Sequence, residues 1–172
     1  MQEIERLFRE FHTPLVRYLT RQLNDADLAE ELAQETFVRA MRHQPLVHER
    51  AWLFAVATNL IRDLIRRETR QRRHLMALHA DAAHASKETD DVSPDDARRA
   101  VLAREALHDI PERDRAALYM SQEGLNYQEI AAALGLSVQS VGTTLTRARK
   151  KVVRSYEGRS RAHESGGANA AS

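Results

Sequence analysis

Tyr127-Gln128-Glu129-Ile130-Ala131-Ala132-Ala133-Leu134-Gly135-Leu136-Ser137-Val138-Gln139-Ser140-Val141-Gly142-Thr143-Thr144-Leu145-Thr146-Arg147 is the stretch that decides the fold. Tyr127, Ile130, Ala131 and Leu134 sit at i, i+3, i+4 and i+7, the spacing of one buried face on a short helix. Gly135 supplies the turn, because glycine enters the left-handed region without a Cβ clash. Leu136 fits the corner between two helices, and Ser137 is a good N-cap. A second helix then puts Val138, Val141, Leu145, Ala148 and Val152 on its inner side. Its outer side carries Gln139, Ser140, Gly142, Thr143, Thr144, Thr146 and Arg147, followed by a basic end. Small polar groups of this kind approach base edges, and the cations after them hold phosphates. The spacing alone is also that of an ordinary helical hairpin with a solvated basic face.

Working outward, the charge is segregated along the chain although the formal net charge is only +1. Arg62 to Arg73 holds six arginines against two acids, a net of +4. Asp81 to Ala97 holds six acids against Lys87, a net of −5, and Ser137 to Arg154 holds five bases and no acid. Two basic patches therefore flank an acidic stretch, a pattern that suits a nucleic-acid-binding protein.

Helical spacing recurs upstream. Ile4, Leu7, Phe8, Phe11, Leu15, Leu19 and Leu23 form a first stripe, in which Thr13-Pro14 is expected to open a new helical segment. Asn24-Asp25 gives a turn and an N-cap for a helix through Met41, Pro45 interrupts, and Ala51 to Arg73 reads as another long helix. Between about 74 and 97 the apolar stripe is lost and Ser93-Pro94-Asp95 breaks it further, so these residues read as a flexible linker. Periodicity returns with Val101, Leu102, Ala106 and Leu107, and Pro111 starts another helix. From Gly158 the chain is Gly, Ser, Ala and Asn-rich, with nothing to bury, and is expected to be disordered. The expected fold is all-α, with small helical domains at 1–73 and 98–157, a linker at 74–97 and a tail at 158–172.

Other classes are poorly supported. The 172 residues contain no cysteine, which excludes disulfides and thiolate chemistry. No apolar run approaches the roughly 18 residues of a membrane span, and acids stand where a secretory signal carries bases. A soluble, intracellular protein with no direct membrane insertion is expected. His74, His79 and His84 are five apart, turning by about 140° each on a helix, so they share no face for a metal. With no phosphate loop, nucleophile elbow or convincing carboxylate pair, neither an enzyme nor a cofactor is expected.

The resemblance to a known family rests on several stretches. Gly124-Leu125-Asn126-Tyr127-Gln128-Glu129-Ile130-Ala131, continuing to Leu145-Thr146-Arg147-Ala148-Arg149, resembles the C-terminal domain of extracytoplasmic-function sigma factors, as does Ile110-Pro111-Glu112-Arg113-Asp114-Arg115. Asp27 to Met41 resembles the family's polymerase-binding helix, and Arg50 to Arg67 resembles its −10 helix. The resemblance implies binding to core RNA polymerase, through the clamp of its largest subunit, by Glu31, Gln34 and Glu35, with Leu28, Leu32 and Val38 or Met41 facing inward. It implies contacts of Asn59, Arg62, Arg66 and Arg67 with the −10 region of promoter DNA, while Trp52, Phe54, Val56 and Leu60 fill the core. It implies −35 contacts by Gln139, Ser140, Thr143, Thr144, Arg147, Arg149 and Lys150, with Gly142 where some members place a basic reader. An anti-sigma factor and a cytoplasmic location are implied as well. The competing class is a stand-alone helix-turn-helix regulator of duplex DNA, which would leave the Asn59–Arg67 helix unexplained.

Overall fold

The computed structural model describes residues 2–76 and 93–168. Their regular elements are helices: α1 (Gln2–Leu23), α2 (Ala26–Arg42), α3 (Glu49–Met76), α4 (Pro94–His108), α5 (Glu112–Gln122), α6 (Tyr127–Leu134) and α7 (Val138–Ala168). Helices α1 to α3 together with Tyr119–Leu136 form one compact unit. Helix α4, α5 as far as Leu118, and α7 form a second. The chain thus leaves the second unit within α5 and returns to it after Leu136, whereas the sequence suggested a single division.

In the first unit, α1 buries Leu7, Phe11, Leu15, Tyr18 and Leu19. It does so as one helix. Pro14 lacks the N–H that would bond the carbonyl four residues back, but that carbonyl belongs to exposed Glu10, and buried Phe11 and Leu15 hold the turn on either side. Asp25 caps α2 as expected, accepting from the Leu28 amide at 3.0 Å. The inner face of α2 is Ala29, Ala33, Thr36, Phe37 and Ala40. The larger Leu28, Leu32 and Val38 are only half-buried, and Met41 is exposed. Small residues on α2 make room for the bulky side chains of α1, so size complementarity, not hydrophobicity alone, sets its orientation.

Helix α3 contributes Leu53, Phe54, Ala57, Leu60 and Ile61 to this core, while Trp52 and Val56 are half-buried. The Trp52 indole lies beside His43, ring centroids 5.6 Å apart. A polar chain threads the core: Gln22 Nε2 donates to the Tyr18 hydroxyl, which bonds Thr58 Oγ1 at 2.7 Å, and Thr58 donates to the Phe54 carbonyl. Each buried hydroxyl is thereby satisfied, as burial without water requires.

In the second unit, α4 packs along α7. Ser93-Pro94-Asp95 does not break structure but starts α4, with Pro94 in the first turn, where its missing N–H costs nothing. The expected linker and tail are otherwise only partly open to inspection, since 77–92 and 169–172 lie outside the described residues. The described part of the tail departs from expectation: α7 continues to Ala168. Side chains replace the missing apolar stripe. Arg159 bonds Asp109 at 2.9 Å and Glu105 at 2.8 Å, and the Ser155 hydroxyl donates to Asp109. Hydrogen bonds from Ser155 and Arg159 hold the Asp109 carboxyl below the ordinary carboxylate range.

Candidate nucleic-acid interface

Chain order gives α6, a three-residue turn and α7, the helix-turn-helix sequence. Asn126 and Glu129 form a reciprocal capping box at the start of α6, and Gly135 ends it in the left-handed region at φ 64°. Tyr127 is half-exposed at the rim of α6 and does not join its inner face, which consists of Ile130, Ala131, Ala133 and Leu134. Ser137 caps α7 by accepting from the Ser140 amide, and the Ser140 hydroxyl donates to the Ser137 carbonyl.

The exposed face of α7 carries two parallel rows, each in steps of four residues. Gln139, Thr143, Arg147 and Lys151 form one; Gly142, Thr146, Lys150 and Arg154 form the other, and together they line a shallow groove. Small or uncharged residues lead and cations follow along each row, the order wanted for base edges first and phosphates after. Five of the predicted residues, Gln139, Thr143, Arg147, Lys150 and the flanking Arg149, are exposed. Arg149 stands apart from the groove, about 160° round the axis from Arg147 at 100° per residue. Thr144 is 6% exposed and lies inside with Val141, Leu145 and Ala148, so it cannot present its hydroxyl to DNA. Ser140 is half-buried and its hydroxyl is engaged by the cap. Val138, expected inside, is exposed.

Arg147 and Lys151 share a partner that the sequence did not reveal. The Asp114 side chain, on α5, is only 4% exposed. Arg147 reaches it side-on, Nη2 to Oδ1 at 3.0 Å and Nε to Oδ2 at 3.4 Å, and Lys151 Nζ lies 3.6 Å from Oδ2. The available signal was an acid four residues after Ile110 and three before Ala117, on an otherwise apolar stripe.

On α3, Asn59, Arg62 and Arg66 fall on one line, which Arg70 and Arg73 extend by further steps of four and three. Arg62 donates to Asn59 at 3.4 Å, and Arg66 lies 3.7 Å from Asp63. The line leaves four guanidinium groups along one face, the spacing that tracks a phosphate backbone. Arg67 is separated from it. With Leu60, Asp63 and Leu64 it lines a groove between α3 and α2 that also takes in Leu28, Leu32, Val38, Glu31, Gln34 and Glu35. The three predicted polymerase-binding residues thus come together, beside half-buried leucines that were expected in the core. Glu35 is held by Arg39 at 2.8 Å.

A second buried carboxylate lies in the first unit. Glu123, its side chain 2% exposed, receives Arg17 at 2.8 Å and Arg21 at 2.6 Å, while Arg50 donates to its carbonyl at 2.6 Å. Gly124 follows at φ 82°, a left-handed conformation that favours glycine, and a Cβ there would stand 3.3 Å from Arg50 Nη2, a tight contact.

Two family models match this chain, one in each half. Residues 7–71 match the family model of sigma-70 region 2, and residues 97–152 match that of sigma-70, region 4. The ferric citrate uptake sigma factor FecI of Escherichia coli is 32% identical over 143 residues, covering 80% of this chain and 81% of the relative. RNA polymerase sigma factor SigZ of Bacillus subtilis is 28% identical, covering 90% and 88%. The ECF RNA polymerase sigma factor SigE of Mycolicibacterium smegmatis is 31% identical over 88% of this chain, which spans 61% of that relative's length. Among solved structures, the sigma factor RpoE in complex with the anti-sigma factor NepR from Bartonella quintana superposes with a TM-score of 0.68 over 91% of this chain and 98% of that one. At 16% identity this likeness concerns the fold alone. With two sigma-70 regions in order and relatives above 30% identity matched over most of their length, the chain belongs to the extracytoplasmic-function sigma factors of the sigma-70 family.

Proposed function

We propose that this chain binds core RNA polymerase and directs it to promoters, each matched region supplying one part of the work. The α2–α3 groove, with Glu31, Gln34 and Glu35 on its rim and Leu28, Leu32 and Val38 within it, takes the basic clamp of the polymerase's largest subunit. Acidic groups around an apolar floor suit such a partner, since charge orients the encounter and burial holds it. The line from Asn59 to Arg73 follows the opened −10 strand. Gln139, Thr143, Arg147 and Lys150 on α7 face the −35 duplex, and Arg149 flanks them. The process is binding without covalent chemistry, and it takes place where polymerase works, in the cytoplasm. An anti-sigma factor is a further expected partner, by analogy with the RpoE complex.

The observation that carries this reading is the presence of two separate basic faces in one chain, on α3 and on α7. A regulator that only binds duplex DNA needs the second and has no use for the first. The test is co-elution of the purified protein with core polymerase on gel filtration. The wild type is expected to travel with core, and Glu31→Lys with Glu35→Lys to weaken this at least about tenfold, since like charge at an interface costs several kcal/mol. A wild-type protein that never binds core contradicts the proposal.

A further inference from the structure

Arg147 stands out among the cations of α7. Lys150 and Arg154 make no ion pair among the described residues, whereas Arg147 and Lys151 both turn to Asp114. At 4% exposure Asp114 has almost no water, and those two cations are its ionic partners. Arg147 itself is 54% exposed and belongs to the groove with Gln139 and Thr143.

The geometry of the pair assigns the guanidinium's two edges. Arg147 uses Nε and Nη2, its side-on edge, for Asp114. A guanidinium has five N–H donors, so the end-on edge, Nη1 with the outer hydrogen of Nη2, is not used by Asp114, and Arg147 lines the groove. That edge is the fork that matches guanine O6 and N7 in a major groove. A carboxylate fixing one edge restricts the rotamers of a long side chain before DNA arrives, and less freedom is lost on binding. Lys151, one turn on, has its charge partly offset by the same carboxylate and so is a weaker phosphate ligand than Lys150 or Arg154.

We propose that Asp114 is a positioning residue for promoter recognition: from behind α7, its buried carboxylate aims Arg147 at a base edge and restrains Lys151 from indiscriminate phosphate binding. This rests on reading α7 as the −35 reader. Its consequence has two signs. Without the carboxylate, two freed cations bind any duplex at least as well as before, while discrimination between duplexes falls. A residue that merely stabilised the fold would lower both together.

The experiment uses the full chain in holoenzyme with core polymerase. The probes are a promoter duplex selected by the wild-type holoenzyme from a library randomised over the −35 element and the same duplex with that element scrambled. Asp114→Asn is expected to reduce the preference for the selected duplex about five- to tenfold, part of the 1–3 kcal/mol of a full bidentate pair, without weakening binding to the scrambled duplex. In an Arg147→Ala background the same substitution should change the preference less than twofold. Asp114→Glu keeps the charge but displaces the fork by one methylene, and it should also lose preference, which covers the case in which Asp114→Asn does not fold. Preference retained in both variants, or a parallel loss on both duplexes, overturns the proposal. A wild-type holoenzyme that selects no −35 sequence overturns the reading of α7 itself.

Discussion

Glu123 and Asp114 are the same chemical device used to different ends. Each is a nearly inaccessible carboxylate held by two cations from another helix. Around Glu123 the contacts are the shorter ones: its oxygens are bonded at 2.6–3.0 Å, and Arg50 fastens its carbonyl. Around Asp114 the contacts run from 3.0 to 3.6 Å, and the cations sit on the exposed polar face of α7. The first cluster fixes the turn at Gly124. Arg17 holds its carboxylate by Nε and Nη2, as Arg147 does, so the difference lies in place: the cations around Asp114 stand on the polar face of α7, where a nucleic-acid ligand can use the donors they keep. A buried ion pair is thus informative about function only once the face its cations occupy is known.

Matched, nearly isosteric substitutions separate the two clusters. Glu123→Gln should be the more damaging, lowering unfolding free energy by about 2 kcal/mol; this is below the 3–5 kcal/mol of a fully buried pair because Arg17 and Arg21 are more than a third exposed. Asp114→Asn should cost about 1 kcal/mol, since its contacts are longer and both cations can turn to water. Urea denaturation of the full chain measures both, and an inverted order would show that bond length is not what separates the two clusters.

A third carboxylate, Asp109, has the smallest expected effect. Asp109 is exposed and owes its lowered pKa to Ser155 and Arg159. A depressed folded-state pKa means stability that is present above the unfolded value and lost as pH falls through the folded value. Arg159→Ala should therefore lower the thermal midpoint at neutral pH, with the gap to wild type closing once the pH drops below the ordinary aspartate range. A gap that stays constant down to strong acid would remove Asp109 from the account of why α7 extends past Gly158.

Much of this was legible in the sequence, and the failures have common causes. The α7 face and the Arg62–Arg66 line follow from helical spacing alone. Thr144 was misplaced because adjacent threonines look alike in composition, although each turns about 100° from the next. On α2, hydrophobicity pointed to Leu28 and Leu32, but the space left by Phe11, Leu15 and Leu19 of α1 suits alanines. The tail beyond Gly158 lacks an apolar stripe, and its helix is held by polar clamps to α4 instead. Asp114 and Glu123 were least legible, because their partners lie 33 and more than 100 residues away in the chain. Local patterns specify which face of a helix is buried; they do not reveal which distant cation will meet a buried acid.

Promoter-dependent transcription in vitro with purified core polymerase, with and without this protein, tests directly whether the chain acts as a sigma factor. Discrete transcripts are expected only when the protein is present, and they should be lost when Arg62 and Arg66 are both changed to Ala. Core polymerase that gains no specific initiation from the protein, while the protein alone footprints duplex DNA, would contradict the sigma-factor account and leave a duplex-binding regulator in its place.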